Sequence, residues 1–366
     1  MVEDNDRIGG LGLAFLLAAG LVEAGTLKLP SQLAASVGRD SWLVPPVLVV
    51  ACFISLAFFY WLGRRFPEES VFEYSPRLIG RIPAQLLALV LNLYWLLLVG
   101  RMLRDFSDTM RLSLVEFTPA EIVCATLLLA AAYLARMGLE PLTRGAFVIV
   151  LFTTPLIVLM SLVILVNANF GNLWPILTKG IWPVLKEGFL TSGSAEQLSA
   201  LFVLVPFLTH PRKTLPAGSL ALGTMLVADW LVVTGTQTVF SIPHLAELRI
   251  PILPAIQSVE LPVMFLERLS SVFIAAWIAR AFITIAFTLW LAATGLKLWT
   301  GSDTHQVYVF PLLPVIFVIA FLPLTMEAQA VFADFLTIVG FYLQMLLPPL
   351  LLLVAAVRGQ GKAQGG

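Results

Sequence analysis

Charge is what this 366-residue sequence has least of. Charged residues are 12% of the chain, 22 basic balanced by 22 acidic. Soluble domains carry roughly 25%, so a solvated globular surface is excluded. With neither sign in excess, no basic face invites nucleic acid. Cysteine is nearly missing as well. Cys52 and Cys124 both fall in apolar runs, which excludes a disulfide framework. The three histidines, His210, His244 and His305, are scattered and form no metal-ligand pattern. No nucleophile, base and acid stand at a catalytic spacing, so neither an enzyme nor a cofactor is expected. The opening MVEDNDR is acidic, unlike a secretory signal, and the apolar run after it is expected to remain as a membrane helix.

What is abundant is apolar surface, at 59% of residues against roughly 45–50% in soluble domains. A hydrocarbon core of ~30 Å takes about 20 helical residues to cross. Helices are the default because lipid leaves exposed backbone groups unsatisfied. The apolar runs predict an all-α integral membrane protein with ten spans, near 8–35, 42–62, 83–107, 119–137, 144–166, 196–211, 217–239, 267–296, 308–324 and 330–357. They form a single transmembrane domain over residues 1–366. With the N-terminus inside, 12 basic residues fall on inner segments and 5 on outer loops, which predicts that both termini are cytoplasmic. Two outer loops, 167–195 and 241–266, are too apolar for free linkers and are expected to pack as short helices over the outer mouth. The final RGQGKAQGG reads as a flexible tail.

Two spans carry interruptions. In LAAGLVEAGTLKLP (17–30), Gly20 and Gly25 flank Glu23, and each glycine weakens a helix by ~1 kcal/mol relative to alanine. Five spans later, Pro206 interrupts the shortest run, QLSALFVLVPFLTHPRKTLP. Irregular backbone at membrane depth survives where it lines a cavity or is buried in protein. Breaks at corresponding positions of two halves point to a transporter-type binding site. The halves would be inverted repeats, about 8–166 and 196–357, with half-helix N–H groups free to hold a carboxylate. Close helix packing is the competing reading of the glycines.

Ionisable groups inside the bilayer are functional candidates by default. Glu23 is placed to bind a ligand ammonium, carry a proton, or serve as a buried hydrogen-bonding group. Lys28 reads as snorkelling toward the outer surface. Arg101, Arg104, Asp105 and Asp108 form a stripe whose pairs 101–105 and 104–108 lie one turn apart. The stripe suits a polar vestibule wall or a structural ladder. Asp229 and Arg280 are deeper and are assigned, with Glu23, to coupling or gating. Arg280 calls for a carboxylate, and sequence leaves Glu23 and Asp229 both open.

Four stretches then read together: FPEESVFEYSPRLIGR (66–81), RDFSDTMRLSLVEFTP (104–119), GLEPLTR (138–144) and IPILPAIQSVELPVMFLERLSSVFIAAWIARAFI (250–283). In order, they resemble the B subunit of spore germinant receptors, germination permeases of the amino acid–polyamine–organocation superfamily. Glu267, Arg268 and Leu269, followed by Trp277, are the most distinctive part. The resemblance implies a LeuT-like 5+5 inverted repeat with helices 1 and 6 discontinuous. It implies a subunit that recognises a small nutrient, often an amino acid, in the spore inner membrane, with A and C subunits as partners. It places the pocket at Gly20, Leu21, Glu23, Ala24, Gly25 and Thr26, at Tyr94 and Leu98, at Phe202, Pro206 and Phe207, and at Trp277 and Arg280. A carboxylate at Glu23 beside that pocket disfavours an acidic ligand. The competing function is secondary amino acid transport coupled to H+ or Na+.

Overall fold

A computed structural model describes residues 7–259 and 263–360, apart from the side chains of 23–26, 167 and 263–270. The first half begins with α1 (Gly10–Val37) and α2 (Val44–Arg65). Pro45 and Pro46 open α2, where a missing N–H leaves no helix bond unmade. The short α3 (Val71–Ile79) buries Val71, Tyr74, Ser75 and Leu78, one stripe at helical spacing. Its start is fixed by a capping box, in which the Ser70 N–H donates to Glu73 Oε2 at 2.7 Å. Then come α4 (Arg81–Ser113), α5 (Ala120–Arg136) and α6 (Leu139–Ile164).

The second half opens with α7 (Trp182–Thr191) and, after a break, the 3₁₀ turn Glu196–Ala200 and α8 (Leu201–Leu204). It continues through α9 (Thr214–Val239), the short α10 (Ile242–Glu247) and α11 (Ile252–Gln257), and α12 (Val263–Thr300). It closes with α13 (Gln306–Phe321), α14 (Met326–Phe341), a π turn at Tyr342–Leu346 and α15 (Leu347–Val357). Among the described residues, six helical stretches are long and apolar enough to cross a bilayer. A seventh span forms if Trp182–Ser194 and Glu196–Phe207, which meet at 51°, are taken together. Leu86, Phe152, Val331 and Leu353 are among many large apolar side chains left exposed on these helices, as lipid contact demands. The protein is a multi-pass membrane protein.

The sixth span differs from the sequence expectation in where it breaks. The interruption is not at Pro206 but at Ser192–Ala195, and the half-helix before it, α7, had been assigned to the 167–195 loop. Pro206 lies at the far end, in a 3₁₀ turn over Val205–Phe207, where a proline near the start leaves little unsatisfied. What drives the real break is contact with α14. A Cβ on Gly193 would fall 2.8 Å from Phe341 N and still closer to the Thr337 carbonyl. Only glycine lets the two backbones approach so closely. The 241–266 loop does supply short helices, α10 against α1 and α11 against α12.

In the first span the backbone is helical from Gly10 to Val37. The expected break falls on Glu23, Ala24, Gly25 and Thr26, whose side chains lie outside the described residues. So do those of Glu267, Arg268 and Leu269, and all of residues 361–366 of the tail. Gly20 packs: a Cβ there would sit 2.6 Å from Gln197 Nε2. At the opposite end, Ile8 N–H donates to the Phe207 carbonyl at 2.9 Å and Thr209 N–H to the Ile8 carbonyl at 3.0 Å. The start of α1 and the end of the sixth span are thus tied by backbone.

Candidate ligand-binding site

At the break, Ser194 lines a chamber of about 80 Å³. Leu21, Leu27 and Lys28 of α1 line it, with Met102 and Asp105 of α4, Ser194 and Glu196 at the break, Asp229 of α9, Trp277 of α12 and Asp334 and Thr337 of α14. A single water needs only ~10–15 Å³ of such space, so a small solute fits. A wider vestibule of about 250 Å³ adjoins it and reaches Arg249 and Ile250 beside α10 and α11. Lys28, Gln32, Arg101, Asp105, Thr109 and Ala333 line both.

That shared wall is an ion-pair chain. Lys28 Nζ donates to Asp105 Oδ1 at 2.6 Å, and Arg101 donates to Asp105 Oδ2 at 3.1 Å and to Glu196 Oε1 at 2.6 Å. It joins α1, α4 and the half-helix that begins at Glu196. The sequence reading of the 101–105 and 104–108 pairs holds, the latter at 3.1 Å. Lys28 does not merely snorkel; its ammonium is committed to Asp105. Glu196 is buried, with its side chain 2% exposed.

Three polar groups on the chamber wall have no hydrogen-bond partner among the described residues: both carboxylate oxygens of Asp229, Glu196 Oε2 and the Trp277 indole N–H. Buried polar groups in native structures are almost always satisfied, so such a cluster marks a place built for something else. Trp277 is held by stacking on Phe106, with centroids 5.5 Å apart and planes 14° from parallel.

Arg280 is fully buried elsewhere. It donates to Thr153 Oγ1 at 2.7 Å, to the Ala18 carbonyl at 3.1 Å and to Thr154 Oγ1, fastening α12 to α6 and α1. Asp229, unpartnered, is not its ion-pair mate. The other proposed mate, Glu23, lies outside the described side chains.

Of the residues expected in the pocket, the structure brings together Leu21 and Trp277, and adds Asp229 from the coupling set. Tyr94 and Leu98 are buried in α4 away from the chamber lining. Phe202 packs edge-on against Phe59 at 4.7 Å, and Phe207 edge-on against Trp290 at 5.7 Å. With Pro206 they belong to the packed end of the sixth span, because the break lies more than two turns earlier. Sequence reasoning missed Ser194, Glu196, Gln32 and Asp334. The signal available was SGSAE itself, small polar residues directly before a carboxylate.

A broken span beside a chamber that carries buried charged groups defines a transporter-like membrane protein with room for a small ligand. Solved structures agree on the fold. MhsT in complex with L-phenylalanine superposes with a TM-score of 0.67 at 12% identity, covering 96% of this chain and 98% of that one. A substrate-bound, outward-open Na+-coupled sialic acid symporter gives 0.65 at 14%, covering 93% and 78%. The fold is LeuT-like. The family model for "Spore germination protein" matches residues 8–329, and the chain belongs to that family. Similar proteins in Bacillus subtilis (strain 168) include spore germination protein YndE, 26% identical over 93% of this chain and 94% of the relative. Spore germination protein A2 is 25% identical over 94% of each. Spore germination protein KB is 26% identical over 87% of each. Family and fold are those of receptors and transporters, and the protein functions in that germinant-receptor-like or transporter class.

Proposed function

We propose that this chain is the nutrient-binding subunit of a spore germination receptor, which senses a small solute, such as an amino acid, and signals through partner chains. The observation that carries the reading is the chamber at the break of the sixth span, walled from its vestibule by the Lys28–Asp105–Arg101–Glu196 chain. A sensor needs a ligand to prefer one of two states, and an ion-pair chain joining three elements has a closed and an open form. On this reading the chain crosses the spore inner membrane ten times, in two inverted repeats of about 8–166 and 196–357, with both termini cytoplasmic. A and C subunits of the receptor are the partners, and the α10–α11 end offers them a surface. Asp229 and Arg280 belong to ligand coupling, with Glu23 assigned to the same role from the sequence.

The test pairs binding with uptake. The purified chain in proteoliposomes should bind a member of a panel of amino acids, sugars and nucleosides, yet fail to concentrate it under proton or sodium gradients. Concentrative uptake by the chain alone would replace the sensor with a secondary transporter.

A further inference from the structure

The chamber wall itself says what its ligand carries. Among the described residues, two cations, Lys28 and Arg101, stand against four carboxylates, Asp105, Glu196, Asp229 and Asp334. The cations are already used: Lys28 on Asp105, Arg101 on Asp105 and Glu196. Asp229 is 2% exposed, and both its oxygens lack a partner among the described residues. Arg280 acts on it only from beyond hydrogen-bonding distance, its guanidinium being engaged with Thr153, Thr154 and Ala18. Glu196 Oε2, on the same chamber, is likewise unpartnered. An isolated carboxylate out of water is costly unless a cation reaches it. Among the described residues, Asp229 is the one chamber-lining carboxylate with both oxygens buried and unpartnered.

We infer that Asp229, with Glu196 Oε2 beside the same chamber, is the subsite for a protonated amino group, and that the ligand is a small primary ammonium compound without net negative charge. An ammonium offers three N–H donors and no acceptor, which suits a wall of free carboxylate oxygens. The Trp277 N–H is a buried donor on the same wall, available to an acceptor group elsewhere on the ligand. Acidic amino acids are rejected by the surplus of carboxylates, and sugars and nucleosides offer Asp229 hydroxyl donors but no compensating charge. The inference rests on the ligand-binding reading above and narrows it.

The test compares matched compounds on the full chain in nanodiscs, by ligand-induced thermal shift and calorimetry. L-Alanine, L-lysine and ethanolamine should bind; L-lactate, with hydroxyl in place of ammonium, L-aspartate, glucose and inosine should not. Asp229→Asn should weaken the amines by about tenfold or more, the size of one charge-assisted contact. Without ligand, its melting temperature should match or exceed wild type, since an unpaired buried charge has been removed. A merely structural Asp229 would lower it. Binding of glucose or inosine with inert amines overturns the ammonium subsite and leaves nutrient sensing standing. So does an undiminished amine affinity in Asp229→Asn, or saturation of the site by NaCl or KCl alone. Binding by none of the compounds defeats both readings for this chain.

Discussion

Arg101→Met tests the ion-pair chain most directly. It removes the guanidinium that joins Asp105 at 3.1 Å to Glu196 at 2.6 Å. The two acids fare differently. Asp105 keeps Lys28 at 2.6 Å. Glu196, with its side chain 2% exposed, loses its ion pair. Breaking a buried pair by removing one partner costs about 3–5 kcal/mol. At about 2 °C per kcal/mol for a chain of this size, melting should fall by about 6–10 °C. Glu196→Gln is milder. It retains an oxygen to accept from Arg101, which still has Asp105, so the loss is about 1.5–3 kcal/mol. The double variant removes the stranded anion together with the cation, and should be more stable than Arg101→Met alone by about 1–3 kcal/mol. The assay is fluorescence-detected size exclusion after stepwise heating in one detergent. If the double variant loses the sum of the two single losses, Arg101 and Glu196 do not act as a pair and the chain is decoration.

Gly193→Ala should destabilise by about 1–3 kcal/mol, because the atoms its Cβ meets are α14 backbone. Gly223→Ala, with nothing within 4 Å, is the matched control and should be neutral or stabilising by heating assay. Arg280→Lys should lower melting nearly as much as Arg280→Met, since one ammonium cannot replace a planar fork reaching two hydroxyls and a carbonyl; a wild-type-like Lys variant refutes the fastening role. Single cysteines at exposed Lys179 and Asp303 should label from opposite faces with an impermeant reagent, Lys179 from outside. Labelling of both from one face sinks the proposed topology.

How far the sequence could be read depended on whether a feature was local. The pairs Arg101–Asp105 and Arg104–Asp108 were legible because helix geometry alone sets a residue over its neighbour one turn on. Lys28–Asp105 and Arg101–Glu196 span 77 and 95 positions, and no spacing rule reaches them. The sixth span was half-seen. Its first half, α7, is ten residues long and contains Lys186 and Glu187, so it passes for a loop. Pro206 drew attention as the strongest breaker, yet a proline at the start of a turn breaks nothing, while Gly193 breaks the span through a contact with α14 that appears only in three dimensions. Depth in the membrane singles out Asp229 in the sequence as a coupling or gating residue or a mate for Arg280; the structure puts it on the chamber wall and does not pair it with Arg280. Its lack of a hydrogen-bond partner among the described residues is legible only from the packing of α9 against its neighbours.

The packing also bears on the sensing reading proposed above. The ion pairs fasten α1 to α4 and to the half-helix at Glu196, while the Ile8 and Phe207 backbones tie the far ends of α1 and the sixth span. While these contacts hold, α1 and the half-helix are linked at both ends. A ligand in the chamber touches that pair on one side and Asp229 and Trp277 on the other, so it can weight one arrangement over another. A 100-fold preference is worth about 2.7 kcal/mol, ample for a balanced assembly. Release at the opposite end asks for much more. Leu198, Leu201, Val203 and Leu204 are each no more than 1% exposed, and Phe202 and Phe207 are wedged against Phe59 and Trp290. Each such side chain taken from full burial to water costs about 1.5–3 kcal/mol. On the proposed sensing reading, a modest ligand preference is enough to throw the switch, whereas opening a path through the packed end would also expose these side chains to water.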